Sequence, residues 1–327
     1  MQHFIHLILK YKKVYICVIV VYVALFVLTA YTLASKTSMV AIGTSTYSTP
    51  DVPQPGTTPT STWPATRLPA SFRGTKPNQL TYADALAPLF ERIRQGEAVR
   101  ILQIGDSHVR GNYLPRAVGE TLERLMGNGG LEGVDLDVGP QLDGGITFDY
   151  QAQNGAHASR YCEPDKLNDI AAFHPDLVII SFGTNEAHGH FDSDTHIHTL
   201  QQLTESIRQR CPGVHFLLTT PPGSFITTYG HRWRDRRGRW HYNTSHGVNP
   251  RTETVAHAID TFARQHNCAL WNLFDIAGGN LHATTNWRSA GLMQNDCIHY
   301  TAEAYTLQGR LLGEAIVLAY EQSAAEP

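Results

Sequence analysis

From Leu80 onward, short apolar runs alternate with amphipathic stretches of helical length, and this alternation leaves few folds open. The clearest run is Leu177 to Phe182, Leu-Val-Ile-Ile-Ser-Phe, with no polar face. Such a strand must be covered on both sides. Further strands are expected over Val99 to Ile104, Ile146 to Ala152, Val214 to Thr219 and Ala269 to Phe274. Helices are expected over Tyr82 to Gln95, Leu114 to Met126, Pro164 to Phe173, Ser193 to Arg210, Asn249 to Gln265 and Thr301 to Glu321. Thr81 and Thr301 are candidate N-caps, and Pro115 and Pro250 suit first helical turns. The pattern predicts a three-layer α/β/α domain around a mainly parallel five-stranded sheet. In such sheets ligands gather at the carboxyl ends of the strands.

The first third of the chain is different. Val14 to Ala34 is a continuous apolar run of membrane-spanning length, preceded by Lys10, Lys12 and Lys13. The lysines place the N-terminus in the cytoplasm and the rest outside. A cleaved signal peptide is the competing reading, since Thr32-Leu33-Ala34 offers small residues. The segment that follows is rich in Ser, Thr and Pro and reads as a tether. The expected organisation is a cytoplasmic N-terminus over 1–13, an anchor over 14–34, a linker over 35–79 and one domain over 80–327. A net charge of −3 gives no basis for a nucleic-acid partner.

Four short motifs fall at or after strand ends or before the last helix. They are Gly105-Asp106-Ser107-His108, Asn154-Gly155-Ala156, Gly183-Thr184-Asn185-Glu186 and Asp296-Cys297-Ile298-His299. Together they supply the parts for acyl transfer through serine. Ser107 is the candidate nucleophile and His299 its base. Asp296, three residues earlier, can hold the imidazole through Nδ1–H. The Ser107 and Gly155 N–H groups and the Asn185 amide are candidate oxyanion donors. Read singly, Asp106-Ser107 is also a turn former, Asn185 an Asx turn and Gly155 a loop glycine with Gly144 and Gly145 as competitors.

These blocks resemble those of the SGNH (GDSL-type) hydrolase superfamily, over roughly Val99 to Leu318. The Gly-Asp-Ser-His and Gly-Thr-Asn-Glu blocks are most similar to the branch that includes bacterial peptidoglycan O-acetylesterases. The resemblance implies the flavodoxin-like SGNH hydrolase fold and Ser107, His299 and Asp296 as a triad. It also implies an oxyanion hole of Ser107, Gly155 and Asn185. The expected activity is removal of O-acetyl groups from an extracytoplasmic polysaccharide, with no cofactor and no metal. An O-acetyltransferase with the same triad and a non-catalytic glycan-binding protein are the alternatives.

Three further features bear on function. His188, His190, His196 and His198 match no metal-ligand spacing and read as an exposed loop and first helical turn. His231 to Tyr242 reads as an exposed hairpin with five arginines. Within it Trp233, Trp240 and Arg234 are candidate contacts to an anionic glycan. Cys211 and Cys268 precede two strands, and a disulfide between them is expected in an oxidising compartment, with Cys162 and Cys297 as a second pair.

Overall fold

The computed structural model describes residues 65–126 and 145–324. The apolar run of residues 14–34, the linker up to residue 64 and all but the last glycine of the 127–145 loop lie outside the described residues. Among the described residues no helix is long and apolar enough to cross a membrane.

In chain order the elements are α1 (Ala87–Arg94), β1 (Val99–Gly105), α2 (Ser107–Arg110), α3 (Tyr113–Met126), β2 (Ile146–Ala152), α4 (Pro164–Phe173), β3 (Leu177–Ser181), α5 (Thr184–His188) and α6 (Ser193–Arg210). They continue with β4 (His215–Thr219), β5 (Phe225–Arg234), β6 (Trp240–Val248), α7 (Arg251–Gln265), β7 (Ala269–Trp271), α8 (Leu273–Ile276), α9 (Gly279–Ser289) and α10 (Ala302–Ser323). Five strands form one sheet in the order β2-β1-β3-β4-β7, and every neighbouring pair is parallel. Strands β5 and β6 form a separate antiparallel ribbon.

Alternating side chains of the inner strands feed two cores. Val99, Ile101, Leu177, Ile179 and Leu217 face a layer built from α1, α3 and α10. Leu102, Ile104, Val178, Ile180 and Leu218 face α4, α6 and α7. The three-layer expectation holds. Helix α10 lies so close to α3 that a Cβ at Gly309 would run into the Leu114 carbonyl, and one at Gly313 would meet the Thr121 side chain at 2.7 Å.

Several expected boundaries move. The helix expected from Tyr82 begins as a 3-10 turn over Ala83–Leu86, with Tyr82 left-handed. Thr81 bridges Leu270 instead of capping it. Strand β7 stops at Trp271, because the Asn272 side chain accepts the Asp275 N–H and starts α8. Residues 65–79, expected as linker, lie on the domain: Thr66 N–H donates to Glu314, Arg73 and Asn286 exchange two hydrogen bonds, and Asn78 joins Leu311 O to Trp271 Nε1.

All four described cysteines are free thiols, which corrects both expected bridges. Strand β7 pairs with the middle of β4, with Ala269 opposite Leu217. Cys268 therefore starts its strand well beyond Cys211, which ends α6. Cys162 instead faces the carbonyls of Ala158 and Thr199.

The close α3–α10 approach gives a test. At an exposed helical site Gly→Ala stabilises by about 1 kcal/mol. Gly309→Ala is instead expected to destabilise the domain, because overpacking against backbone costs roughly 1–3 kcal/mol. A lowered urea midpoint at unchanged m-value is the expected readout.

Candidate active site

The first three motifs meet because three strands end level. Gly105 of β1 is opposite both Ala152 of β2 and Ser181 of β3. Beyond Gly105 the chain turns at once into α2, with Asp106 as N-cap accepting the His108 N–H at 2.9 Å. A Cβ at Gly105 would collide with Val109 and sit 2.9 Å from the Ser181 carbonyl, so only glycine permits this turn. Ser107 is thereby held, half-buried, at the strand edge.

The fourth motif arrives from the loop before α10. Asp296 Oδ1 accepts the N–H groups of Ile298 and His299, and Gln294 N–H donates to the His299 carbonyl at 2.8 Å. This closed turn, with Cys297 left-handed, aims the imidazole at Ser107. His299 Nε2 lies 2.9 Å from Ser107 Oγ, and His299 Nδ1 lies 2.7 Å from Asp296 Oδ2. Burial pushes the Asp296 carboxyl up, but the His299 side chain and the two backbone donors outweigh it, and its pKa falls below the ordinary carboxylate value. The ionised carboxylate accepts from Nδ1–H, which leaves Nε2 as acceptor for the serine hydroxyl.

Asn185 stands at the start of α5. Its Nδ2 donates to Asp106 Oδ2 at 3.1 Å and to the Ala156 carbonyl at 3.0 Å. Both amide hydrogens are therefore engaged, and the side chain ties three motifs together. Gly155 is exposed with φ +69°, and among the described residues its N–H meets no acceptor. Glu186, buried, accepts the Ala158 N–H at 2.9 Å and fixes the far side of the same loop.

His108 is a residue whose place the sequence did not reveal. It is buried, its Nδ1 lies 3.0 Å from the Tyr305 hydroxyl, and its ring stacks on His299 at 5.3 Å and 25°. Tyr300 leans on His108, and Trp287 and Phe72 follow edge to face, so aromatic rings run from the 65–79 segment to the base. Beneath His108 lies a cavity of about 30 Å³. Three buried polar atoms without a protein partner belong to its lining: Gln103 Oε1, His108 Nε2 and Gln308 Nε2. A polar cavity of this size has room for water.

Of the four histidines expected in an exposed loop and first helical turn, His190 and His198 are exposed and the other two are not. His188 is half-buried with Nε2 3.0 Å from Ser224 Oγ, and His196 is buried in α6. Among the described residues no group of three His, Cys, Asp or Glu side chains could hold a metal ion. The ribbon is longer than the expected hairpin, over Phe225–Arg234 and Trp240–Val248. Arg234 pairs with Trp240, whereas Trp233 pairs with His241, so the two tryptophans point to opposite faces.

Two buried groups beside Ser107 titrate in opposite senses. Burial, with His299 nearby, lowers the His108 pKa from 6.5 to about 3. Burial raises the Asp106 carboxyl from 3.8 to about 7, against the pull of the His108 N–H. Below pH 6.5 an unfolded His108 binds a proton that the folded one refuses, so its contribution to stability is lost as pH falls towards 3. Asp106 contributes the reverse slope between 3.8 and about 7. His108→Asn removes only the first slope. The urea stability of wild type minus that of His108→Asn should rise between pH 4 and 6, by up to about 1.4 kcal/mol per pH unit. A flat difference would contradict a buried neutral imidazole.

No curated protein matches the sequence. A structure described as "Peptidoglycan O-acetylesterase in action, 5 min" superposes with a TM-score of 0.59 at 19% identity, covering 76% of this chain and 99% of that one. An acetylxylan esterase mutant from Geobacillus stearothermophilus gives 0.43 at 16% identity, covering 68% and 94%. The model of the GDSL-like lipase/acylhydrolase family matches residues 103–307, which takes in all four motifs, and the chain belongs to that family.

Proposed function

We propose that the protein is a serine esterase that removes O-acetyl groups from a polysaccharide, with peptidoglycan among the candidate substrates. The carrying observation is the relay Ser107 Oγ to His299 Nε2 at 2.9 Å and His299 Nδ1 to Asp296 at 2.7 Å. Ser107 Oγ attacks the acetyl carbonyl while His299 takes its proton. The tetrahedral oxyanion is met by the N–H groups of Ser107 and Gly155. Asn185 can join only by sharing a hydrogen already given to Asp106 or Ala156. Collapse expels the sugar hydroxyl, protonated by His299, and leaves acetyl-serine. Water, deprotonated by His299, then releases acetate and restores the serine.

An acetylated glycan is supported by the openness of the site and by the acetyl esters named for its structural relatives. His299 and Asp296 side chains are 35% and 45% exposed, so a bulky alcohol portion can approach the base. The apolar run of residues 14–34 supports an extracytoplasmic, membrane-anchored placement for the domain.

The test is acetate release from O-acetylated peptidoglycan and a panel of acetylated polysaccharides. Ser107→Ala is expected to lower kcat by roughly 10⁴–10⁶ with the fold intact. Undiminished turnover in Ser107→Ala would sink the mechanism, and transfer of acetyl to added oligosaccharide without acetate release would assign an acetyltransferase. Asn185→Ala is expected to lower kcat by about 10²-fold, because it unties the Asp106 turn from the Ala156 loop and so misplaces the neighbouring Gly155 donor.

A further inference from the structure

The β5–β6 ribbon contributes almost nothing to the core, yet its sequence is far from an ordinary solvated hairpin. Between Phe225 and Val248 it carries five arginines and a single acidic residue, in a chain whose net charge is −3. That residue, Asp235, is already taken up within the turn, where Arg239 Nε and His241 Nε2 each lie 3.0 Å from its carboxylate. Arg232 and Arg234 have no carboxylate partner among the described residues. A two-stranded ribbon is marginal by itself, so its cross-strand side-chain pairs must hold it.

Those pairs sort the side chains by face. Directly opposed residues share a face, and neighbours along a strand do not. Arg232 opposes Tyr242, and Arg234 opposes Trp240. The Arg232 guanidinium lies 3.5 Å from the centre of the Trp240 ring, with Arg234 at 4.5 Å. Tyr229 meets Tyr242 edge to face at 5.7 Å. One face is thus a continuous stripe of Tyr229, Tyr242, Arg232, Trp240 and Arg234. The other face has Trp233 stacked on His241 at 4.5 Å.

The stripe has a definite chemistry. A guanidinium stacked on an aromatic ring is held flat, and its edge still presents paired N–H donors in the fork that fits a carboxylate. Tyr229, Trp240 and Tyr242 are 70%, 45% and 46% exposed and offer flat apolar surface beside those forks. Alternating flat apolar and carboxylate-binding positions suit a chain of sugar rings bearing carboxylates. The ribbon is also rooted in the catalytic loop. Phe225 N–H donates to the Cys297 carbonyl at 2.9 Å, and the Tyr300 hydroxyl donates to the Gly223 carbonyl at 2.6 Å. Cys297 and Tyr300 flank His299 closely in sequence.

We propose that the Tyr229–Tyr242–Arg232–Trp240–Arg234 face of the ribbon binds a carboxylate-bearing polysaccharide and leads it to Ser107. The binding surface stands on the ribbon alone; the delivery to Ser107 rests on the esterase reading.

The two parts are separated by measuring binding in full-length Ser107→Ala protein, which does not turn over. The probe is polygalacturonate, with an uncharged glucan as control, followed by affinity electrophoresis at low and moderate salt. Polygalacturonate should bind, weaken with salt and outcompete the glucan. Trp240→Ala and the double variant Arg232→Gln with Arg234→Gln should each lose at least tenfold in affinity, with thermal unfolding midpoints showing them folded. Trp233→Ala, on the opposite face, should stay within about twofold. Equal losses in Trp233→Ala and Trp240→Ala would overturn the assignment, as would full affinity in the double arginine variant. Preferential binding to phosphatidylglycerol vesicles, or ribbon-dependent dimerisation without polysaccharide binding, would overturn it too. If polygalacturonate binds as described but wild-type protein releases no acetate from any acetyl ester, the ribbon assignment stands and the esterase reading falls.

Discussion

The amide of Asn185 is the joint on which the site is assembled. Its two hydrogens reach Asp106 after β1 and Ala156 in the loop after β2, while its own backbone starts α5 after β3. Three strands that end level would still present three independent loops. A single side chain makes them one surface. It also answers a problem created by burial, since Asp106 is 1% exposed and its carboxyl is forced towards the neutral form. The His108 N–H and the Asn185 amide are the donors that let an acidic group remain in that position.

Against this rigid edge, the catalytic histidine is held by shape as much as by hydrogen bonds. The turn around Asp296 sets its direction, and the stacked ring of His108 sets its plane. A neutral, buried imidazole is suited to such a role: it offers a flat surface without adding a positive charge beside the base. The exposed Asp296 and buried His108 thus divide the work of orienting one ring between a charge and a contact.

Most of the sheet was legible in the sequence because parallel strands buried on both faces read as plain apolar runs. Ile146–Ala152, Pro164–Phe173 and Ser193–Arg210 fall where the pattern put them. The triad side chains could be named from their motifs, and the structure brings Ser107, His299 and Asp296 together. What failed has physical causes. Helix α9 is entered through Gly278 and Gly279 and carries Asn, Thr and His where an amphipathic stripe would be apolar, so no periodicity announced it. The disulfide expectation assumed strands beginning level, and only register decides that. The ribbon residues were singled out correctly as a group, but a bulge between Tyr229 and Arg232 fixes which of them share a face, and composition does not encode it.

The segment over residues 65–79 has a consequence for where this domain can be cut. It contains no helix or strand of its own and would be trimmed as tail by any rule based on composition. Yet Phe72 closes over Trp287, Trp287 meets Tyr300, and Tyr300 reaches His108 beneath the base. A chain begun at Leu80 would leave Trp287, the largest of the buried side chains along with Trp271, open to water on one side. The true edge of the folded unit is therefore a clasp that wraps back over the last helices. Its loss would reach the base through that chain of rings, since His108 carries the stack on His299.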